Sequence, residues 1–416
     1  MSNLPVQPFQ PPLRLLMGPG PSDVHPRVLA AQARPTIGHL DPAFVGMMDE
    51  VKGLLQAAFR TANEMTFAVS GPGSAGMEAC FVNLIEPGDT VVVCVNGVFG
   101  GRMKENVERC GARAVVVEDA WGTPVDPGKV EAALTAHPGA KVLAFVHAET
   151  STGVESDAAA LCALARAHGA LAIVDTVTSL GGIPVLVDQW GADAVYSGSQ
   201  KCLSAPPGLS PVTVSSRAVD ALKSRKTKVQ SWFLDLTLLT AYWGGGAQLV
   251  RQPANQQTSG GISAGSKNPP GRTYHHTAPV NALYGLHESL VMLHEEGLEA
   301  SWARHRAMHA ALKAGLEAMG LGLLVAEASR LPQLNAVTVP EGVDEAAVRS
   351  QLLARFGLEI GAGLGALAGK VWRIGLMGQS ATPRHVMACL GALESVLGAK
   401  VPQGAGPAAA SRVLFG

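Results

Sequence analysis

The chain lacks a surplus of either charge: its 416 residues carry 32 Lys+Arg against 33 Asp+Glu, a formal net charge of -1. With no basic excess to neutralise a phosphate backbone, nucleic acid is not an expected partner. Charged residues are also scarce, at 16% against 47% hydrophobic. That balance excludes a disordered chain and favours a large buried core. The length suggests two or three domains. Cysteine is sparse too: six residues with no CxxC pair argue against a disulfide scaffold or a zinc ribbon. No cluster of ligating side chains stands out, so no metal is expected. Apolar runs of the roughly 18–20 residues that span a bilayer are missing, so no membrane partner is expected either. The opening MSNLPVQPFQPPLRLL has no apolar core of a secretory signal, and the closing Leu-Phe-Gly is not a peroxisomal address. The expected setting is a reducing cytoplasm.

What is present is a recurring pattern. Residues 1–20 form a Pro-rich arm that ends in the Met17-Gly18-Pro19-Gly20-Pro21 turn. Between about 45 and 215, seven short runs alternate with amphipathic stretches: Thr66–Ser70, Thr90–Val95, Ala112–Val117, Val142–His147, Leu171–Thr176, Ala192–Ser197 and Pro211–Val214. VVVCV, VLAFV and LAIV are continuously apolar rather than alternating, as strands covered on both faces are. The expected fold class is α/β, with a large domain (21–280) built on a mostly parallel sheet and a smaller α+β domain (281–400). Residues 244–271 are Gly-, Ser- and Gln-rich and read as a long loop or insertion. The Gly/Ala/Pro-rich tail, 401–416, is expected to be flexible.

Gly71-Pro72-Gly73-Ser74-Ala75-Gly76 satisfies G-x-G-x-x-G between a strand and a helix. A dinucleotide site would also need an acid at the end of the next strand, but Val91–Val95 runs into Asn96-Gly97. The weaker reading survives: N–H groups at a helix start that can hold one phosphate. A second match, Gly361 to Ala366, reads as a turn. Asp175 closes the apolar run LAIVD, and Lys201 follows the strand AVYS. Both fall at the carboxyl rim of the sheet, where open α/β folds bind ligands. A lysine, a carboxylate and a phosphate cradle together suit pyridoxal 5′-phosphate, which needs a covalent anchor and an anion beside its ring nitrogen. A lysine in a partly desolvated pocket has a lowered pKa and can also move a proton.

Motifs spread from about 14 to 398 carry a resemblance. They are GPGPSDVHPRVLAA (18–31), IGH (37–39), SGPGSAGMEA (70–79), NGVFGGR (96–102), HAETSTGV (147–154), VDTVTSLGG (174–182), SGSQKCLSAPPG (197–208), SRKTK (224–228), YHHTAPVNALYGLHESL (274–290) and RIGLMG (373–378). In this order they resemble the class V aminotransferases of fold type I, most closely the alanine–glyoxylate and serine–glyoxylate (serine–pyruvate) group. The resemblance implies the PLP-dependent transferase fold, with a mostly parallel seven-stranded sheet. It implies that Lys201 anchors the cofactor and that Asp175 pairs with its ring nitrogen. Gly73, Ser74 and Gln200 would hold the phosphate, and Thr150 the ring oxygen. Tyr274 and Thr277 would reach the phosphate of a neighbouring subunit, implying a homodimer with shared sites. Arg373 would grip a substrate carboxylate with a bidentate fork, and Gly38 would lie on a loop closing the substrate pocket. Three departures stand out: Phe99 where Trp often stacks on the ring, Thr150 where Ser is common, and the 244–271 insertion.

The implied activity is transfer of an amino group from alanine or serine to a small 2-oxo acid, glyoxylate first. Two rivals remain. A lyase such as a cysteine desulfurase would need a mobile thiolate facing the cofactor, and none of the six cysteines is well placed for it. A non-enzymatic protein keeping the fold would not need the Lys201, Asp175 and Arg373 set.

Overall fold

The structure is a computed structural model that describes residues 7–244 and 272–416. Seven strands form the main sheet: β1 Met65–Ser70, β2 Thr90–Val95, β3 Arg113–Glu118, β4 Ala140–Val146, β5 Leu171–Asp175, β6 Ala194–Tyr196 and β7 Leu209–Val214. Their spatial order is β1-β7-β6-β5-β4-β2-β3. Only β7 runs antiparallel to its neighbours. All seven expected strands are present, with ends moved by no more than two residues. The central strands are buried on both faces because helices cover both sides, which is why their sequences are apolar throughout. Every parallel strand delivers its carboxyl end to one rim, and that rim carries Asp175 and the loop to Lys201.

A second core belongs to the smaller sheet, β8 Leu334–Thr338, β9 Gly361–Ala362 and β10 Val371–Gly375, in the order β8-β10-β9. Three expectations need correcting. The boundary at 280/281 is displaced: helix Val280–Glu296 buries Val280, Leu283, Leu286, Leu290 and Leu293 in the large core, and the small core starts with Met308 of helix Leu298–Ala318. An apolar stripe goes to whichever core its helix faces, and composition does not say which. The arm joins the small domain. Leu15–Leu16 pair in parallel with Leu358–Glu359, and Met17 is buried in the small core. Finally, the tail is not frayed, since Ala405–Phe415 is helical. Its small residues permit close packing: a Cβ at Gly315 would come within 3.0 Å of the Gly406 carbonyl. The Glu394 carboxylate accepts from the Gly404 and Gly406 N–H groups at 2.9 and 2.7 Å and so caps the helix start.

The late glycine run is not a plain turn either. Gly361–Ala362 forms the edge strand β9, and a Cβ at Gly361 would strike the Pro19 ring. Of the expected insertion, residues 245–271 lie outside the described residues. Among the described residues no helix is long and apolar enough to cross a membrane.

Candidate active site

Strand register builds the centre of the site. Asp175 and Tyr196 are paired residues at the ends of β5 and β6, so their side chains leave the sheet on the same side. Asp175 is 2% exposed. Its Oδ1 accepts from the Val177 N–H and its Oδ2 from the Tyr196 hydroxyl, each at 2.8 Å. Burial pushes the carboxyl up to about 7, while these two bonds and the nearby Lys201 charge pull it back.

Lys201 follows β6 on a loop and is 9% exposed. Its ammonium donates to the Pro19 carbonyl. Gly20, with φ +109°, leaves room for it: a Cβ there would sit 2.5 Å from Nζ. The position demands glycine on both counts. Burial, and then the Arg373 cation, lower the Lys201 amine to about 8. A buried amine near neutrality can shed its proton and act as a nucleophile or base.

Arg373 comes from the small domain, on β10, and is 6% exposed. Its Nε donates to the Ala362 carbonyl at 2.6 Å and its Nη1 to the Thr150 carbonyl at 3.1 Å. Backbone carbonyls thus hold the guanidinium in place while leaving other donors of the fork for a carboxylate. Burial lowers it to about 10, opposed by the Glu149 charge; it stays a cation at neutral pH. Thr150 shares a hydroxyl contact with Thr178, so its side chain is already tied to the loop after Asp175.

Glu149 is a site residue that no sequence motif singles out. It is fully buried, and it accepts from the Ser151 hydroxyl at 2.6 Å and from the Phe99 N–H at 3.1 Å. It therefore caps helix Val98–Arg109 and fixes Phe99 at the helix start. Phe99 is half-buried, with the Arg102 guanidinium 4.8 Å from its ring centre. The signal for Glu149 was an acid inside an apolar stretch next to Thr150. For Tyr196 it was the alignment of AVYS beside LAIVD, which needs the pairing register.

The glycine loop has the geometry of an anion cradle. Helix Gly73–Leu84 starts with no side-chain cap, which leaves its first N–H groups outward-facing. A Cβ on Gly73 would lie 3.0 Å from Val177 Cγ2, so the helix start sits directly against the Asp175 loop. Ser74 is exposed beside it, and the buried Gln200 Oε1 has no hydrogen-bond partner. That oxygen is an acceptor, so only the amide NH2 of Gln200 could donate to a phosphate. The cradle, the amine and the carboxylate fit pyridoxal 5′-phosphate.

The remaining expected residues lie elsewhere. Gly38, Tyr274 and Thr277 are exposed. The Tyr274 ring packs on His39 at 5.4 Å, and a Cβ on Gly38 would meet nothing within 4 Å. This patch joins the glycine loop through His276, whose Nε2 lies 2.7 Å from Ser70 Oγ. The structure brings Lys201, Asp175, Arg373, Thr150 and Gly73 to one rim and leaves Gly38, Tyr274 and Thr277 on the outer surface.

A parallel-sheet rim bearing this lysine, carboxylate and cradle defines a pyridoxal 5′-phosphate enzyme of fold type I. The aminotransferase class-V family model matches residues 27–377. An alanine–glyoxylate aminotransferase of Callithrix jacchus is 41% identical over 94% of this chain and 89% of its own. An (S)-ureidoglycine–glyoxylate transaminase of Bacillus subtilis is 38% identical over 93% and 91%. The crystal structure of an alanine–glyoxylate aminotransferase from Nostoc sp. superposes with a TM-score of 0.88 at 44% identity, covering 95% of this chain and 98% of that one. The chain belongs to the class-V aminotransferases, and its cofactor is pyridoxal 5′-phosphate.

Proposed function

We propose that the chain moves the amino group of alanine to glyoxylate, giving pyruvate and glycine, with serine as the alternative donor. The observation that carries this reading is the buried Arg373 guanidinium, held by two backbone carbonyls on the same rim as Lys201. Such a fork selects small acids with a carboxylate beside the reacting carbon. Two relatives named for glyoxylate support that acceptor.

When bound, the cofactor supplies an aldehyde that accepts the amino group and a ring that withdraws electrons. The chain does the rest. In this reading Lys201 would anchor the aldehyde and, once the donor's amine has taken its place there, the freed Nζ would take the donor's Cα proton and return it. Arg373 binds the substrate carboxylate and fixes which Cα bond faces Lys201. Asp175 would accept the ring N–H. Gly73 and Ser74 N–H groups, with Gln200, would hold the phosphate, and Thr150 the ring oxygen. Phe99 would stack on the ring. Tyr274 and Thr277, exposed in one copy, serve the phosphate of a second copy in a homodimer, and Gly38 lies on the substrate side of that contact.

A second donor, (S)-ureidoglycine, is favoured by the 38% identical Bacillus relative. Half-reaction spectra with alanine, serine and (S)-ureidoglycine, followed by glyoxylate or pyruvate as acceptor, test the reading. Full conversion by alanine and reoxidation by glyoxylate are expected. An enzyme that reacts with (S)-ureidoglycine alone would overturn the alanine reading. A hydroxyl more or less in the donor is weakly discriminated, by about 10²-fold at most. The desulfurase reading has lost its nucleophile: all six cysteines are buried, and burial raises the Cys202 thiol beside Lys201 to about 12. Sulfide release from cysteine is not expected.

A further inference from the structure

One buried hydroxyl beside the site has no part in the chemistry above. Tyr196 is fully buried, and its OH donates to Asp175 Oδ2 at 2.8 Å. The contact follows from the sheet itself. Asp175 and Tyr196 are register partners on adjacent parallel strands, and the Tyr196 carbonyl is in turn bound by the Thr176 N–H and hydroxyl, both at 2.9 Å. The base of the side chain is closely backed as well. Helix Gly73–Leu84 lies so close that a Cβ on Gly76 would reach within 3.2 Å of the Tyr196 Cβ. The phenol therefore has one orientation and one acceptor.

We infer that Tyr196 is a positioning residue that keeps Asp175 ionised and aimed at the cofactor's ring nitrogen. This rests on the reading of Asp175 given above. The need for such a residue is electrostatic. A carboxylate can accept the ring N–H and hold the ring protonated, whereas a neutral acid cannot. Burial drives Asp175 toward the neutral form, up to about 7. The charges and titratable groups that reach it are Lys201 from the loop, Glu149 from the short segment after β4, Cys80 from helix Gly73–Leu84 and Tyr196 itself. Glu149 adds to the push, and only Lys201 offers a compensating charge. Once Lys201 carries the aldehyde, that charge no longer acts as a free ammonium. The Tyr196 OH and the Val177 N–H are then the fixed donors that favour the anion. Tyr196 stays a donor because burial and the adjacent Asp175 hold its own pKa well above the ordinary tyrosine value.

The test is Tyr196→Phe in the full-length chain, read first without turnover. Isotope-edited infrared titration, referenced to Asp175→Asn, follows the Asp175 carboxyl in the chain stripped of cofactor. Removing one hydrogen bond to a charged acceptor should raise its midpoint by about one to two pH units. An unchanged midpoint overturns the inference. Tyr196→3-fluorotyrosine, a stronger donor of the same shape, should move the midpoint the other way; with only four tyrosines in the chain, full replacement is tractable. Should the Phe variant fail to fold, the fluorotyrosine sign alone decides.

In the loaded enzyme, nitrogen-15 resonance of the labelled ring should report a less protonated nitrogen in Tyr196→Phe. The value of kcat should fall about tenfold or more while KM for the donor holds. Neither change should appear on top of Asp175→Asn. Losses that simply add would mark a structural role and overturn the inference. A shifted carboxyl titration in a chain that passes amino groups to no 2-oxo acid would sink the transaminase reading alone.

Discussion

The interior of the site and its outer patch are held in opposite ways. Asp175, Lys201, Arg373 and Glu149 are buried, and each has its geometry set by the chain's own backbone: the Val177 N–H, the Pro19 carbonyl, the Ala362 and Thr150 carbonyls, and the Phe99 N–H. Tyr274 is 49% exposed, and Thr277 and Gly38 are exposed too. The contrast teaches that burial and backbone hydrogen bonds fix the interior side chains within the single chain, whereas the outer side chains are held by neither. Burial also explains the electrostatics. Two cations and two carboxylates share a small desolvated volume, so Lys201 falls to about 8, Arg373 to about 10, and Asp175 rises to about 7.

The comparison can be broken hardest at its centre. Lys201→Ala removes the proposed anchor and base, and the alanine half-reaction should fall by about 10³-fold or more, with the cofactor absorbance no longer shifting on alanine addition. Turnover near the wild-type rate would sink the scheme. Arg373→Lys keeps the charge but not the fork, and kcat/KM for alanine should drop about 10–100-fold with the loss mostly in KM. Steady-state kinetics against an uncharged amine donor, which should not feel the change, makes the check specific.

At the fringe the effect should be smaller and should depend on assembly. Thr277→Ala should weaken cofactor affinity about tenfold. If the proposed second copy supplies this residue, mixing it with Lys201→Ala chains should restore one intact site per mixed pair. Titration of cofactor into both preparations reads this out, and an unassembled chain that binds cofactor normally would place the whole site in one copy.

Capture of cofactor by the stripped chain sharpens the interior half by pH. Only the neutral amine attacks the aldehyde. With Lys201 at about 8, the observed rate should climb as pH rises through about 8 and level off above. Arg373→Gln removes a repelling cation, so the midpoint should move upward. A profile flat from pH 6 to 9 would contradict the desolvated lysine. The smallest change is Phe99→Trp. A larger ring adds stacking area, and cofactor affinity should rise about two- to tenfold.

Much of this could be read from the chain alone. Continuous apolar runs announced buried parallel strands, and all seven appeared in the main sheet. Asp175 is visible because it ends such a run and Lys201 because it follows one, and the topology then brings both to one rim. Arg373 and the glycine loop followed from the resemblance, since nothing local distinguishes a buried arginine from a solvated one. The domain boundary and the tail helix are not legible in composition. Composition cannot tell which core a stripe will face, nor that Gly315 and Gly406 let two helices come close.

Local sequence settles strand, helix and turn because those depend on periodicity over a few residues. Only the tertiary structure could put Tyr196 in register with Asp175, bring Arg373 from the smaller domain to the Thr150 carbonyl, and bury Glu149 at the start of the Phe99 helix. Those are contacts between distant segments, where burial and hydrogen-bond geometry, not residue type, decide what a side chain can do.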